Sequence, residues 1–424
     1  MTVMSHLPNA CLSLAIALVA AVPASAQSLS YGDMGDSGGE AGGGDMSNSR
    51  ESGRRAIRIS PYIEAAQVAT AELKPGNDVL TYTRAAAGLD ASIQGRRTGL
   101  SASLRYEHYF GWGKKASDAD VVSGIVRGYA TVTPGLQIEA GGLAARTRVE
   151  GNGGTSLGPV GVGNDTSNIY SVYAGPTVAT RVGDVQVSGG YRIGYTRVES
   201  PDAVVTAPGQ APVDVFDDSV SHNASLRAGV KPGDVLPVGI GVGANWNRED
   251  IANLDQRVED RNIRGDVTVP VTSAIALVGG VGYEEVKVSS RDAVRDGLGN
   301  PVIGPGGRYV TDKSAPRRIA FETDGLIWDA GVVWRPNRRT MLEARVGKRY
   351  GSTTYQGSFS YAPSSRSSLN VSVYDSLGGF GGRLNTSLAA LPTDFEANRD
   401  VLSGNLTGCV ASTKGNNCLA SALG

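Results

Sequence analysis

The chain has 424 residues, which fits two or three globular domains or a single large all-β barrel. Its 58 glycines make up about 14% of the chain and only 19% of its residues are charged, a composition too apolar for a disordered protein and too rich in glycine for a helical enzyme. The formal net charge of −1 excludes a basic nucleic-acid-binding surface, and three cysteines and three histidines are too few for a zinc or haem module, so we predict no metal, no cofactor and no nucleic-acid partner.

Residues 1–26 have the pattern of a cleavable signal peptide. An apolar stretch runs from about Ala10 to Val22, and a small-residue cleavage site follows at 24–26. The stretch is shorter than the roughly 20 residues that a transmembrane helix needs, so cleavage is favoured over a membrane anchor. Residues 27–55 contain almost no large apolar side chains and cannot bury a core, so we predict a flexible, glycine-rich periplasmic arm.

From residue 56 onward, apolar and polar residues alternate, which is typical of strands with one apolar and one polar face. The segment from Val185 to Thr196 shows the pattern most clearly. The same alternation recurs in segments that begin near Leu100, Val238, Ile263, Ile275 and Leu326. These segments have about 10–14 residues, longer than the usual strand and long enough to cross a bilayer at a tilt.

The alternation delimits fifteen strands, at residues 56–72, 79–94, 99–110, 121–132, 136–149, 168–182, 185–199, 219–230, 238–249, 260–270, 275–289, 317–335, 340–351, 353–361 and 367–376. Short turns alternate between them with longer polar stretches, as in outer-membrane barrels. We therefore predict that residues 56–377 form an all-β, transmembrane antiparallel β-barrel of about 16 or more strands. A soluble β-sandwich or propeller, whose strands are usually shorter, is the alternative.

The end of the chain is predicted from the parity of the strands. Bacterial single-chain barrels have an even number of strands, and a fifteenth strand that starts in the periplasm ends outside. We therefore expect 378–424 to be a long external loop, and we expect the chain to be truncated at its C-terminus, before at least one closing strand. A miscount by one strand is the alternative. In an oxidising compartment, Cys409 and Cys418 are expected to form a disulfide within this loop, with two free thiols as the alternative.

Charged residues on the polar parity of the strands are predicted to face the lumen of the barrel. They are Arg105, Glu107, Glu139, Arg192, Arg264, Asp266, Asp329, Glu343 and Arg345. Such charges set ion selectivity in some barrels and pair across strands in others. We favour structural pairing, because the two signs are interleaved and surrounded by glycines.

A catalytic or metal site is less strongly indicated. After removal of the signal, only His108 and His222 remain, and His108 lies on the apolar parity of its strand. His222 begins a strand near an acidic stretch at 214–218, which is expected to be a solvated loop and not a calcium site, because the spacing of a calcium-binding loop is absent. We therefore predict no catalytic residues.

Several runs resemble a known family. They include SPYIEAAQVATAEL, DVLTYTRAAAGLDASIQGRRTGLSASLRYEHYFGWG, YSVYAGPTVATRVGDV and DGLIWDAGVVWRPNRRTMLEARVGKRYGSTTYQGSFSYAPSSRSSLNVSVYD. The family consists of outer-membrane β-barrels often labelled "preprotein translocase subunit YajC", and it is similar to barrels associated with PEP-CTERM and exopolysaccharide systems. The resemblance covers about residues 56–424 and implies an outer-membrane barrel that continues into further strands.

A barrel of about sixteen strands encloses a lumen wide enough for water unless loops or the arm plug it. The sequence therefore predicts a passive pore or envelope-transport channel in the outer membrane of a Gram-negative bacterium, not an enzyme, and the resemblance implies exopolysaccharide export. The alternatives are a closed structural or surface barrel that binds a partner through its external loops, and an outer-membrane hydrolase. The expected partners are outer-membrane lipid, the barrel assembly machinery and, from the resemblance, polysaccharide-export components.

Overall fold

The computed structural model describes most of the chain beyond the predicted signal peptide and arm. The described residues are 56–71, 79–112, 118–148, 166–199, 218–304, 307–364, 367–373, 375, 377–399, 404–412 and 415–418. The predicted signal peptide and periplasmic arm therefore lie outside the described residues.

Fifteen strands follow one another: β1 (Ala56–Ala71), β2 (Val79–Gln94), β3 (Thr98–Trp112), β4 (Ala119–Thr133), β5 (Leu136–Arg148), β6 (Thr166–Val182), β7 (Val185–Glu199), β8 (Ser219–Val230), β9 (Gly239–Ile251), β10 (Gln256–Pro270), β11 (Ile275–Ser290), β12 (Arg318–Asn337), β13 (Thr340–Arg349), β14 (Ser352–Ser364) and β15 (Ser367–Val373). Each pairs antiparallel with the next, in the order of the sequence, so that β1 and β15 form the two edges of the described sheet. The all-β barrel fold predicted from the alternation is confirmed, although the described sheet is not closed.

One face of the sheet is apolar along its whole width. Large side chains on this face remain exposed, by 44–64% at Leu104, Ile193, Ile263, Leu277 and Leu326. We call this the outer face, because successive side chains of a strand point to opposite faces and the other parity carries the polar residues. An exposed apolar surface of this extent on an antiparallel sheet is the lipid-facing surface of a transmembrane barrel. The chain therefore belongs in the outer membrane of a Gram-negative bacterium.

The connections define two ends of the sheet. At the short-turn end, strands are joined by connections of two to eight residues at 95–97, 134–135, 183–184, 231–238, 271–274 and 338–339. At the long-loop end, β11 and β12 are joined by residues 291–317, the longest connection of which most residues are described. Two connections at this end are short: 252–255, which contains a 3-10 turn, and 350–351. Leu254, Asp255 and Tyr350 adopt positive φ in these turns, a conformation that reverses the chain tightly and that few non-glycine residues adopt.

The segment after β15 folds onto the other face of the sheet, which we call the inner face. It contains α1 (Phe380–Ala390) and a small sheet of β16 (Phe395–Arg399), β17 (Leu406–Ser412) and β18 (Gly415–Cys418). We call residues 380–418 the C-terminal segment. Its helix packs against β5 to β9 and its strand β16 against β3. Strand parity predicts a long external loop in this region and none of these elements.

A hydrophobic core holds the C-terminal segment on the inner face. Leu384, Leu388 and Leu391 of this segment are at most 2% exposed. They belong to one cluster with apolar residues that β4 to β7 present on the inner parity: Ile125, Leu143, Ala145, Ile169, Tyr173 and Val198. Those sheet residues would otherwise place an apolar patch in a water-filled lumen, so their burial is a reason for the segment to dock there.

Cys409 of β17 is disulfide-bonded. Cys418 of β18 is directly opposite Cys409 in the register of the two strands. Directly opposed residues of an antiparallel pair have Cα atoms about 4.5–5.5 Å apart, a separation that a disulfide spans. The register therefore places the backbone of Cys418 where the predicted disulfide requires it, and the pairing of the two cysteines stays a prediction.

An ion-pair knot fixes the 291–317 loop to the turn between β9 and β10. The two carboxylate oxygens of Asp255 each lie 2.8 Å from a guanidinium nitrogen, one of Arg291 and one of Arg317. Partial burial acts to raise the pKa of the Asp255 carboxyl, but the two guanidiniums outweigh this effect and the pKa is lowered. The knot is therefore formed at neutral pH.

We expect Asp255→Asn to loosen the 291–317 loop at neutral pH, because the amide cannot replace two ionic hydrogen bonds. In the wild-type protein the Asp255 contribution is fully present above the unfolded pKa of about 4 and is lost as the pH falls through the lower, folded pKa. Hydrogen exchange of the loop amides, corrected for intrinsic rates, measures both effects. Asp234→Asn is the control, since it removes an ion pair with Arg181 at the opposite, short-turn end of the sheet. Equal protection in Asp255→Asn and wild type would contradict the expectation.

Candidate functional site

All nine charges predicted to face the lumen lie on the inner face, and each one is in an ion pair. The cross-strand register connects them to one another, because directly opposed residues share a face. Asp266, for example, lies opposite Gly241 on one side and Gly280 on the other, and Gly280 lies opposite Asp329. The pairing is the arrangement that the interleaved signs favour.

The first group of inner-face charges lies on β1 to β3. Arg105 contacts Glu107 at 2.5 Å and Glu64 at 2.9 Å. Arg84 reaches the other oxygen of Glu64 at 2.5 Å, and the hydroxyl of Tyr109 donates a hydrogen bond to Glu107 at 2.7 Å. The side chains of Arg84, Arg105 and Glu107 are at most 4% exposed. Because these side chains are buried, each charge depends on its ion-pair partners. Removing one partner would leave a desolvated, unpaired charge.

A second group lies on β4, β5 and β7. Glu139 accepts hydrogen bonds from Arg127 at 3.2 Å and from Arg192 at 3.5 Å. The guanidinium of Arg192 also lies 5.3 Å from the ring centre of Tyr173, within the range of a cation–π contact. These side chains are only partly exposed and all are paired, so the group presents no isolated charge on the inner face.

The third group spans β10 to β13. Asp329 lies 2.6 Å from Arg264 and 3.2 Å from Arg345, and Arg345 also contacts Glu343 at 2.7 Å. Beside this group, Arg349 contacts Glu284 at 2.8 Å. The charges thus form a continuous row across four strands.

Two glycines let arginine side chains cross a strand to reach their partners. Arg264 of β10 contacts Asp329 of β12, so its side chain passes over the inner face of β11 at Gly280, where a Cβ atom would collide with the guanidinium. At Gly241 of β9, a Cβ atom would lie 2.6 Å from Nη2 of Arg227, which reaches across to Asp266. The close approach explains why these strands carry glycine on the polar parity.

A polar cleft of about 440 Å³ opens on the inner face between β9 and β14. Its polar lining consists of Asn245, Asn247, Asp260, Asn262, Arg264, Asp329, Glu343, Arg345, Arg349, Tyr350, Thr354 and Gln356. The C-terminal segment packs mainly over β3 and β5 to β9, so the cleft lies beside the covered part of the sheet. Five of the nine predicted charges lie in or next to this cleft: Arg264, Asp266, Asp329, Glu343 and Arg345.

The two histidines of the described residues lie on the outer face, away from the cleft. His108 contacts Asp120 at 2.7 Å, and the same carboxylate accepts a hydrogen bond from Tyr106 at 2.6 Å. His222 contacts the hydroxyl of Tyr191 at 2.7 Å. Tyr106 and Tyr191 lie near the middle of β3 and β7, and the hydroxyl of each has a polar partner. Of the acidic stretch at 214–218, only Asp218 lies within the described residues.

Sequence reasoning missed the residues that dock the C-terminal segment. Glu249 of β9 is 4% exposed, and its two oxygens each accept a hydrogen bond at 3.0 Å, from the backbone N–H groups of Gly381 and Gly382. Asn385 of α1 is equally buried and bonds to hydroxyl groups of the sheet, Ser171 at 2.8 Å and Ser221 at 3.1 Å. The apolar residues on the inner parity of β4 to β7 could have indicated this docking, because a lumen filled only with water would not favour them.

Arg399 of β16 fixes the other end of the docked segment. Its guanidinium donates hydrogen bonds to Ser123 of β4 at 2.8 Å and to Ser103 of β3 at 3.3 Å. The backbone oxygen of Thr393 accepts hydrogen bonds from Gln94 at 2.7 Å and Ser101 at 2.9 Å. The segment therefore crosses the inner face of the sheet from β9 to β2.

Among the described residues, no group of three or more histidine, cysteine or acidic side chains is placed to hold a metal ion. In the same part of the chain, no helix has the length and apolar character needed to span a membrane.

Comparison with known proteins gives structural similarity only. No family model matches the chain. No curated protein matches it either. Among solved structures, a loop L8 deletion mutant of OmpT, an outer membrane protein of Vibrio cholerae, is 12% identical over 72% of this chain and 94% of its own, with a TM-score of 0.30. OmpT expressed in the outer membrane of the same organism is 13% identical over 71% and 80%, with a TM-score of 0.30. The FrpB iron transporter from Neisseria meningitidis is 10% identical over 72% and 54%, with a TM-score of 0.34.

Proposed function

We propose that the chain forms a passive transport channel of the outer membrane for hydrated polar solutes, with the C-terminal segment occupying part of the lumen. The observation that carries this proposal is the inner face itself. Its side chains between β9 and β14 are amides, hydroxyls and paired ions around an uncovered cleft. A structural barrel without a transport role would gain more from filling this space with apolar side chains than from a row of partly hydrated ion pairs.

The paired charges favour a channel with weak ion selectivity. Each acid in the row from β10 to β13 has an arginine within 3.5 Å, so neither sign dominates the wall. A solute would therefore meet alternating hydrogen-bond donors and acceptors and not a single-sign ring of the kind that selects ions.

The resemblance to barrels labelled YajC and to those of exopolysaccharide systems is the basis for a narrower proposal, that the solute is a polysaccharide on its way to the cell surface. Under this proposal the partners are polysaccharide-export components, and outer-membrane lipid and the barrel assembly machinery act in insertion.

Conductance across planar bilayers tests the channel. We expect the refolded full-length chain to give discrete single-channel steps whose amplitude scales with bulk salt conductivity, and we expect a reversal potential near zero in a potassium chloride gradient, because the wall charges are paired. Strong cation or anion selectivity would contradict the paired wall. A complete absence of steps from correctly folded protein would contradict the channel.

A closed barrel that binds a partner through its external loops is the second candidate. The apolar core under the C-terminal segment favours this candidate. Because the leucines of α1 are fully buried against the sheet, the helix is stably packed on the inner face. A hydrolase is the third candidate, and hydrolysis assays on lipid and peptide substrates test it. In that case the chemistry would have to proceed without the histidines at 108 and 222, which face away from the cleft.

A further inference from the structure

The charges that line the β9–β14 cleft balance one another. Three acids and three arginines face it: Asp260, Asp329, Glu343, Arg264, Arg345 and Arg349. Every one of these arginines has a carboxylate partner at 3.4 Å or closer. A carboxylate or phosphate ligand would have to enter beside the carboxylates that already hold each guanidinium, and their like charge opposes its binding. The cleft is therefore poorly suited to an anionic ligand.

Amides and a hydroxyl flank the ion pairs on both sides of the cleft. On β9 and β10, the amide of Asn245 donates a hydrogen bond to the side-chain oxygen of Asn262 at 3.1 Å. This bond leaves one N–H and the carbonyl oxygen of Asn245, and part of the acceptor capacity of Asn262, for a ligand. On β14, Gln356 and Thr354 line the opposite wall, and their side chains make no hydrogen bond to any other described residue. Both walls thus offer donors and acceptors without net charge.

The ring of Tyr350 completes the lining at the long-loop end. It is held in place because its backbone N–H donates a hydrogen bond to Glu284 at 2.5 Å and because the guanidinium of Arg349 lies 4.6 Å from its ring centre. A fixed aromatic edge beside paired polar groups offers a sugar both a nonpolar contact for its C–H groups and hydrogen-bond partners for its hydroxyls.

We propose that the β9–β14 cleft is a binding site for neutral oligosaccharide chains. The hydroxyl groups of a neutral sugar both donate and accept hydrogen bonds, which matches a wall of amides and paired ions, and they require no counter-charge. This site rests on the proposed function, because it takes the inner face as the lumen. The chemistry of the wall narrows the solute to neutral sugars.

Calorimetric titration of the purified full-length barrel in detergent tests the site. The probes are maltohexaose, which is neutral, and hexagalacturonate, which has the same number of rings and a carboxylate on each. We expect maltohexaose to bind at least about tenfold more tightly than hexagalacturonate, because the anion must compete with the arginine partners. Tighter binding of hexagalacturonate, or no binding of maltohexaose, would overturn the proposal.

Variants of the two walls locate the site. Gln356→Leu and Asn262→Leu are each expected to weaken maltohexaose binding about tenfold, because a sugar hydroxyl is left without a partner. Asp329→Asn removes the shared partner of Arg264 and Arg345, so it should reverse the preference towards hexagalacturonate. Ser188→Leu, on the inner face of β7, is the control and should leave both affinities unchanged. Unchanged binding in Gln356→Leu and Asn262→Leu would place the sugar elsewhere and refute the site.

This titration separates the inference from the proposed function. Binding in detergent does not require conduction, so a barrel that binds maltohexaose but gives no current would retain the site and lose the channel. A barrel that conducts but does not bind maltohexaose would retain the channel and lose the site.

Discussion

Replacing Glu249 by leucine is expected to release α1 from the inner face and to raise single-channel conductance several-fold. The carboxylate of Glu249 accepts hydrogen bonds from two of the free N–H groups in the first turn of the helix, those of Gly381 and Gly382, at 3.0 Å each. Without an acceptor, each of these shielded N–H groups costs about 1–3 kcal/mol. The negative charge also interacts favourably with the N-terminus of the helix, and leucine removes that interaction as well. Undocking of α1 exposes the part of the inner face that it covers.

Two measurements report the release of α1. Bilayer recordings should show larger steps or more frequent full openings, and trypsin should cleave after Arg383, which lies in the released helix. Glu249→Gln keeps one acceptor and should give an intermediate effect. Glu285→Leu is the matched control, because it removes a carboxylate of the outer face that pairs with Arg261 at 3.0 Å, far from α1. Conductance and cleavage identical to wild type in Glu249→Leu would show that the leucine core alone holds the helix.

Ile193→Arg is expected to lower the free energy of unfolding in lipid by about 2–4 kcal/mol if it sits near the bilayer midplane. Ile193 lies in β7 on the outer face and is 44% exposed, so the arginine would enter hydrocarbon. Ser188→Arg, in the same strand but on the inner face, meets water and other polar groups and should cost far less. The matched pair isolates the effect of the face, because both variants add the same side chain to one strand.

Urea titration of protein refolded into lipid vesicles measures this difference, with the mobility shift of unheated samples on gels as a check of folding. Equal destabilisation by the two variants would contradict the assignment of the outer face to lipid. It would instead support the soluble β-sandwich that the alternation alone also permits.

The face of each strand could be predicted from the sequence because the side-chain period of a strand is fixed at two. Leu104 and Arg105 are adjacent in β3, and their opposite environments, one 47% and one 5% exposed, follow from that period alone. The short-turn end was predictable for a similar reason, since turn residues such as Gly135 and Gly183 adopt a positive φ that a strand excludes. The connection at 252–255 contains no glycine, and the one at 350–351 contains only Gly351. The sequence therefore indicated these two turns more weakly.

The partners of the charges were not predictable, because they depend on register across more than one strand. Arg264 and Asp329 are 65 residues apart and lie on β10 and β12, with β11 between them. Their contact requires a glycine, Gly280, where the side chain of Arg264 passes over β11. The hydrogen-bond register of three strands sets that position. The sequence shows a glycine on the polar parity of β11 but not what crosses it.

The sequence by itself determined the fifteen strands, their two faces and the order in which they pair, because period-two alternation and turn residues act locally and neighbouring strands of a meander pair in chain order. Only the tertiary structure decided what occupies the inner face. The C-terminal segment carries no period-two pattern over strands of spanning length, and its docking depends on the apolar residues of β4 to β7, on the shape of the space between them and on Glu249. These are contacts between residues more than a hundred positions apart, whose free energy exists only once the sheet has brought them together.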